Sequence, residues 1–346
     1  INPEAAEMIK RQTFTDDTIN SVLTVPIAEK LAHDSSEIMK EGGFRYKEWI
    51  FGGTNPDDGS IIADEEAEPK LVLGSTWNRR NDTIIFPCKV NFSKKIRKIR
   101  SGHPLPLETL ECECPIRLTR RLVLEQFMTI FDAYGLLAPF TLRGKILLRK
   151  TWSLNLEWDE PFSDQLRNEW IDFFRQVLYV AELQYPRCLR PPNPVGNPSL
   201  IILSDGSDIA YGCAAYIHWQ LEDDTCWARL ILAKSRIAPL QKVTIPRMEL
   251  NGAVTSCRIR QVIESSLRFK FETVIQLVDS MTVLQQINNL STKFEMYEGI
   301  RIGEIQSATK GDVSCWAWIE GKSNIGDWAT RVKTPEEIGP DSEWFN

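Results

Sequence analysis

Two short apolar runs that end in aspartate constrain this chain more than any other feature. One, "LIILSD", closes on Asp205, and the other, "VIQLVD", closes on Asp279. The second is nearly continuous in apolar residues, as expected of a strand buried on both faces of a sheet. A carboxylate at the end of such a strand is costly to bury alone. Asp205 is followed by Gly206, and Asp-Gly by itself also fits an ordinary hairpin turn.

The surrounding pattern supplies the rest of a fold. Residues 186–198 hold five Pro and one Gly, which predicts a linker and a domain boundary. Beyond it, residues 200–205, 210–219 and 226–233 read as a three-stranded meander. "IPRMELNGAVTSCRIRQVIES" predicts a helix with Pro246 in its first turn and Leu250, Ala253, Val254 and Cys257 on one face. A helix over 294–308, a strand over 313–319 and a helical turn or two over 324–331 complete the order βββ-α-β-α-β-α. That order describes an α/β mixed sheet covered by helices.

Upstream, residues 117–183 carry apolar residues at three- and four-residue spacing, broken at Gly135 and Pro139. Trp152, Trp158 and Trp170 are expected to anchor this helical region as core. Nearer the start, residues 26–41 predict a helix with Ile27, Leu31, Ile38 and Met39 on one face, ended by Gly42-Gly43. "FRYKEWIF" is a strand candidate. "NPDDGS" and the acidic run 64–69 read as loop, and "KLVLGSTWNRRNDTIIFPCKV" as two strands around an Asn-Asp turn.

At 346 residues the chain has room for two or three domains. It begins at Ile1 with no signal peptide, so it reads as a fragment or a processed piece. No apolar run approaches the ~20 residues a bilayer span needs. Eight Cys, three His and no Cys-x-x-Cys argue against a zinc site or a disulfide framework and for a reducing compartment. The net charge is −6, but residues 89–150 hold 13 Lys/Arg against 5 Asp/Glu. A basic segment between acidic ones suits a protein that grips a phosphate backbone in one place and gathers carboxylates in another; it also suits a solvated basic surface.

Four acids then form a series: Asp205 ending the first strand, Glu249 in the first turn of the first helix, Asp279 ending the fourth strand, and Asp327 in the last helix. Each has a plain reading of its own, as a turn acid, a helix-dipole partner, an N-cap and an exposed helical acid. Acids collected at one sheet edge repel unless cations neutralise them, and two Mg²⁺ ions ~4 Å apart are the usual answer in phosphodiester hydrolysis. Mg²⁺ takes carboxylate oxygen and water and needs no His or Cys.

The segments "LSDGS…YG", "IPRMEL", "LVDSMTVL" and "GKSNIGDWATR" resemble the ribonuclease H domain of retroelement polyproteins. "LAKSRIAPLQKVTIPRMEL", "FDAYGLLAPFTLRGKILL" and "LGSTWNRRNDTIIF" are similar to the BEL/Pao class of long-terminal-repeat retrotransposons, over most of residues 70–346. The resemblance implies a ribonuclease H-like five-stranded mixed sheet. It implies Asp205, Glu249, Asp279 and Asp327 as catalytic metal ligands for two Mg²⁺ (or Mn²⁺), cutting the RNA strand of RNA–DNA hybrids. Many ribonucleases H carry a His in the loop before the last helix; here "IEGKSNIG" has Lys322 and Asn324 instead, which bears on turnover.

"FTDDTINS" resembles the F/Y-x-D-D hairpin of reverse transcriptases, with Asp16 and Asp17 as implied palm metal ligands. The implied organisation is a partial palm (1–90), a helical thumb and connection (91–185), the linker (186–198) and a ribonuclease H-like domain (199–346). Lys94, Lys95, Arg97, Lys98 and Arg100 would track the template–primer backbone, with Lys322 and Asn324 as further nucleic-acid contacts. Polymerisation is not expected of this fragment alone, because a third palm carboxylate and the fingers would precede Ile1. Further implied partners are the rest of the polyprotein, fingers and palm upstream and integrase downstream, in a cytoplasmic particle or the nucleus, with no membrane contact and no secretion. Two other readings stand beside this one. One is an inert or domesticated nucleic-acid-binding remnant. The other is an aspartic peptidase, which the lack of any Asp-Thr-Gly or Asp-Ser-Gly disfavours.

Overall fold

A computed structural model describes residues 2–54, 61–63, 67–92, 106–289 and 293–346. The chain divides into two compact units: Ile1–Val72 with Trp77–Ile84, and Leu73–Thr76 with Ile85–Asn346.

In the first unit, α1 (Pro3–Gln12) starts at Asn2, whose side chain accepts from the Glu4 amide. A hairpin of β1 (Thr13–Phe14) and β2 (Asp17–Thr18) follows, pairing Thr13 with Thr18 and Phe14 with Asp17. Helix α2 (Val25–Glu41) has Pro26 in its first turn and ends at Gly42. Ala5, Met8 and Leu31 form a small core with Val22, Ile38 and Trp49. Ile27, expected on the buried face, is 43% exposed. "FRYKEWIF" forms no strand. Instead Trp49 donates to Ser36 of α2 and lies tilted against Tyr46, whose hydroxyl hydrogen-bonds Thr18, while Phe44 is exposed. Next along the chain come short strands β3 (Lys70–Val72), β4 (Ser75–Asn78) and β5 (Thr83–Ile85), three where two were expected, of which Ser75, Thr76 and Ile85 count with the second unit.

The second unit carries the single-turn α3 (Leu110–Glu113), then α4 (Arg120–Phe127), α5 (Ala138–Ser153) and α6 (Asp164–Val180). Thr119 and Ser163 cap α4 and α6. Trp170, Phe140, Phe173 and Phe174 lie in one aromatic cluster, each fully buried or nearly so and each contributing about 2–3 kcal/mol of apolar burial. Trp152 and Trp158 differ from expectation: they are 40% and 42% exposed. Their faces cover the Arg120 guanidinium, which lies 4.4 Å and 5.4 Å from the two rings and donates to Thr151. A buried cation that needs a π face keeps these rings at the surface.

After β6 (Gln184–Pro186) come β7 (Pro194–Gly206), β8 (Ala210–Leu221), β9 (Cys226–Ile237), α7 (Ile245–Ser266), β10 (Val274–Val278), α8 (Met281–Asn288), α9 (Met296–Ala308) and β11 (Trp316–Trp318). 3-10 segments follow at Gly321–Ser323, a single turn, and Ile325–Thr330, two turns. The sheet order is β11-β10-β7-β8-β9. Strands β7, β8 and β9 are antiparallel, and β10 and β11 run parallel to β7 and β10. This is the expected five-stranded mixed sheet. Strand β7 starts at Pro194, inside the segment expected as linker; a proline at a strand's first residue removes no essential ladder bond.

Residues before and after the sheet complete its outer edge. The Ala233 amide donates to the Tyr134 carbonyl, the Leu230 amide to the Phe345 carbonyl, and Lys145 Nζ to the Ser235 carbonyl. Gly135 sits at φ +73°, and a Cβ there would come 1.9 Å from the Ala233 carbonyl oxygen, so only glycine allows this approach.

Candidate active site

The register of the sheet brings the first two acids together. Ser204 pairs with Val278, so the next residues, Asp205 near the end of β7 and Asp279 just past the end of β10, come side by side. Asp205 is 7% exposed and faces Gly212 across β8. Asp279 is half-buried, and its carbonyl accepts from the Trp318 indole at 2.9 Å.

Asp327 arrives on the 3-10 segment Ile325–Thr330 rather than on an α-helix. Asn324 fixes that segment. Its Oδ1 accepts from the Gly326 amide at 3.0 Å, and its Nδ2 donates to the Ser204 carbonyl at 3.2 Å, one residue before Asp205. Asn324 is 3% exposed, so the side chain expected to meet nucleic acid is instead spent on placing Asp327. Thr330 donates to Asp205 Oδ2, and its hydroxyl also lies 3.0 Å from the Asp327 carbonyl. Arg331 Nε pairs with Asp327 Oδ2 at 3.0 Å.

One carboxylate oxygen from each of Asp205, Asp279 and Asp327 lies within 4.8 Å of the other two. Burial pushes the Asp205 carboxyl up to about 6, and the charges of Asp327 and Asp279 add to this, against the Thr330 hydrogen bond. The set is all oxygen and carries more negative charge than Arg331 offsets, which suits a hard divalent cation.

Glu249 stands beside this trio. It is the fifth residue of α7, one place past the first turn. It is half-buried, and burial raises its carboxyl, as does Asp279, while a hydrogen bond from Ser280 pulls it down. Ser280 also caps α8 by accepting from the Val283 amide. Gly206 lets α7 come this near: a Cβ there would lie 2.2 Å from the Glu249 amide nitrogen.

The other expected residues lie elsewhere. Asp16 and Asp17 are exposed at the tip of the β1–β2 hairpin, in the first unit. Lys322 is exposed and pairs with Glu320 at 2.9 Å. Asp208 is an exposed turn acid, with Ser207 closing the turn onto Ala210. Lys94, Lys95, Arg97, Lys98 and Arg100 lie outside the described residues. Thr330 and Ser280 were not anticipated. Their signal was in the sequence, a hydroxyl three residues after Asp327 and another directly after Asp279.

Among the described residues no helix is long and apolar enough to cross a membrane. No curated protein matches the chain. Among solved structures it is similar to the N-terminal RNase H domain of a Mycobacterium tuberculosis protein, at 13% identity over 38% of this chain and 96% of that one, TM-score 0.27. It is also similar to an LC11-RNase H1 in complex with an RNA/DNA hybrid, at 14% identity over 36% of this chain and 88% of that one, TM-score 0.27. A foamy viral protease-reverse transcriptase in complex with dsDNA matches at 10% identity over 96% of this chain and 59% of that one, TM-score 0.26. The family model described as the Pao retrotransposon-like RNaseH-like domain matches residues 119–280, a narrower span than 70–346. It contains Asp205, Glu249 and Asp279, whereas Asp327 lies beyond it. From the cap of α4 to the residue before α8, the chain is therefore similar to the Pao retrotransposon-like RNaseH-like domain.

Proposed function

We propose that this region hydrolyses the RNA strand of RNA–DNA hybrids, with Mg²⁺ held by Asp205, Asp279, Asp327 and Glu249. The observation that carries this reading is the meeting of three carboxylates, from β7, β10 and the 3-10 segment, within 4.8 Å. Bound divalent cations would supply a water of lowered pKa and charge stabilisation for the leaving 3′ oxygen. The chain's own residues hold the ligands in place. Thr330 orients Asp205, Asn324 ties the Asp327 segment to β7, and Ser280, the residue after Asp279, hydrogen-bonds Glu249. In the same reading, Asp16 and Asp17 belong to the remainder of a reverse-transcriptase palm over 1–90, residues 91–185 to thumb and connection, and residues 199–346 to the ribonuclease H-like domain. The basic residues of 94–100 follow the template–primer.

The test is cleavage of an end-labelled RNA strand in a hybrid by the full chain, with and without Mg²⁺. Asp205→Asn is expected to lower the rate by about 100-fold or more, several kcal/mol of lost charge stabilisation. Equal cleavage by the parent and Asp205→Asn overturns the reading. Hybrid binding with no Mg²⁺-dependent cleavage favours the nucleic-acid-binding remnant instead.

A further inference from the structure

The outer edge of the sheet gathers like charges. Lys145 Nζ reaches the Ser235 carbonyl at 3.0 Å, and Ser235 is flanked by the exposed Lys234 and Arg236. One helical turn on from Lys145, Arg149 donates to the Pro239 carbonyl at 3.2 Å. Helix α5 and the end of β9 thus bring four cations to the outer edge of the sheet. Lys234 and Arg236 are near enough to depress the Lys145 ammonium, after burial and against Asp132. Among the described residues Arg149, Lys234 and Arg236 have no ion pair. Exposed like charges held together repel, and an external polyanion relieves that repulsion.

This edge is in register with the acids. Asp205 faces Gly212, and Gly212 faces Ser235, so one row of the sheet joins the carboxylates to the midpoint between Lys234 and Arg236. Two strand spacings separate the backbones of Asp205 and Ser235, ~10 Å, with Lys234 and Arg236 one residue to either side and turned to the other face at this edge. Along a nucleic-acid strand that is about three base steps at ~3.4 Å each.

We infer that Lys145, Arg149, Lys234 and Arg236 form a binding site for the phosphate backbone of the RNA–DNA hybrid, about three base steps from the carboxylates. The inference rests on the hybrid-cleaving reading for the identity of its ligand. The site is built jointly by the helical segment and the sheet.

The test measures binding of a short labelled RNA–DNA hybrid by fluorescence anisotropy over a salt series. The protein is the full chain carrying Asp205→Asn, so that the hybrid stays intact. Lys234→Gln and Arg236→Gln are each expected to weaken binding several-fold and to reduce the slope of log K against log salt by ~0.9, and the double variant by ~1.8. Lys270→Gln, an equal charge change in the α7–β10 connection at the opposite end of the sheet, is expected to leave affinity and slope unchanged. An unchanged slope in the double variant overturns the inference, as does an equal loss in Lys270→Gln or no hybrid binding by the parent. Cleavage by the unsubstituted chain is scored separately. A chain that cuts but shows no slope change loses this inference alone, and one that shows the slope change but does not cut loses the catalytic reading alone.

Discussion

Thr330 hydrogen-bonds Asp205, linking the last 3-10 segment to the first strand of the sheet through a single hydroxyl. Thr330→Val removes that bond while keeping the shape of the side chain. Hybrid cleavage is expected to fall about 10-fold, and stability by about 1 kcal/mol or more because a buried acceptor loses its donor. Thr330→Ser should keep both near the parent. Initial rates and urea midpoints for the two variants decide it.

Gly206 faces the α7 backbone where any side chain would collide with Glu249. Gly206→Ala is expected to push the helix away from β7 at a cost of about 1–3 kcal/mol or more. It should also move Glu249 from Asp279 and lower cleavage. A variant with the parent's denaturation midpoint and rate would refute the contact.

Trp344 holds the chain's last residues against the site's supporting turn. Its indole donates to the Leu136 carbonyl, its own carbonyl accepts from Tyr216, and its ring stacks on Trp328 next to Asp327. Trp344→Ala should cost about 3–5 kcal/mol. Trp344→Phe, which keeps the stacking, should recover more than half of it in thermal or chemical unfolding.

Asp132 gives a pH dependence with a definite sign. Burial pushes its carboxyl up to about 6, although the amides of Leu136 and Leu137 donate to it. Its unfolded value is ~4, so between about pH 4 and 6 the folded state binds more protons than the unfolded state. The stability it contributes is present below ~4 and lost as pH rises through about 6. Relative to Asp132→Asn, the parent should lose about 1–3 kcal/mol between pH 4 and 6.5, measured by denaturant unfolding across that range. A constant difference would contradict this.

The strands and the order of acids were readable because apolar runs, turn residues and a helix with Pro in its first turn are local signals. Asp205 and Asp279 could be placed at strand ends from the runs before them. Their adjacency depends on parallel pairing between strands some seventy residues apart, which the runs alone do not set. The helical character of 117–183 was legible, but the exposure of Trp152 and Trp158 was not, because it follows from a buried Arg120 that needs their faces. Asn324 looked like a polar loop residue, yet its amide is used on both sides of a turn. Such short-range tethering leaves no periodicity in the sequence.

The cover on β9 has a practical consequence for dissecting this chain. Tyr134, Lys145 and Phe345 occupy backbone groups of the sheet's last strand. A piece begun at residue 199 would lack the first two, leaving Ala233 and Ser235 with open amide and carbonyl groups along an edge. Open strand edges recruit one another between molecules. Such a piece would self-associate through β9, and its inactivity would report the missing cover rather than the chemistry of the carboxylates.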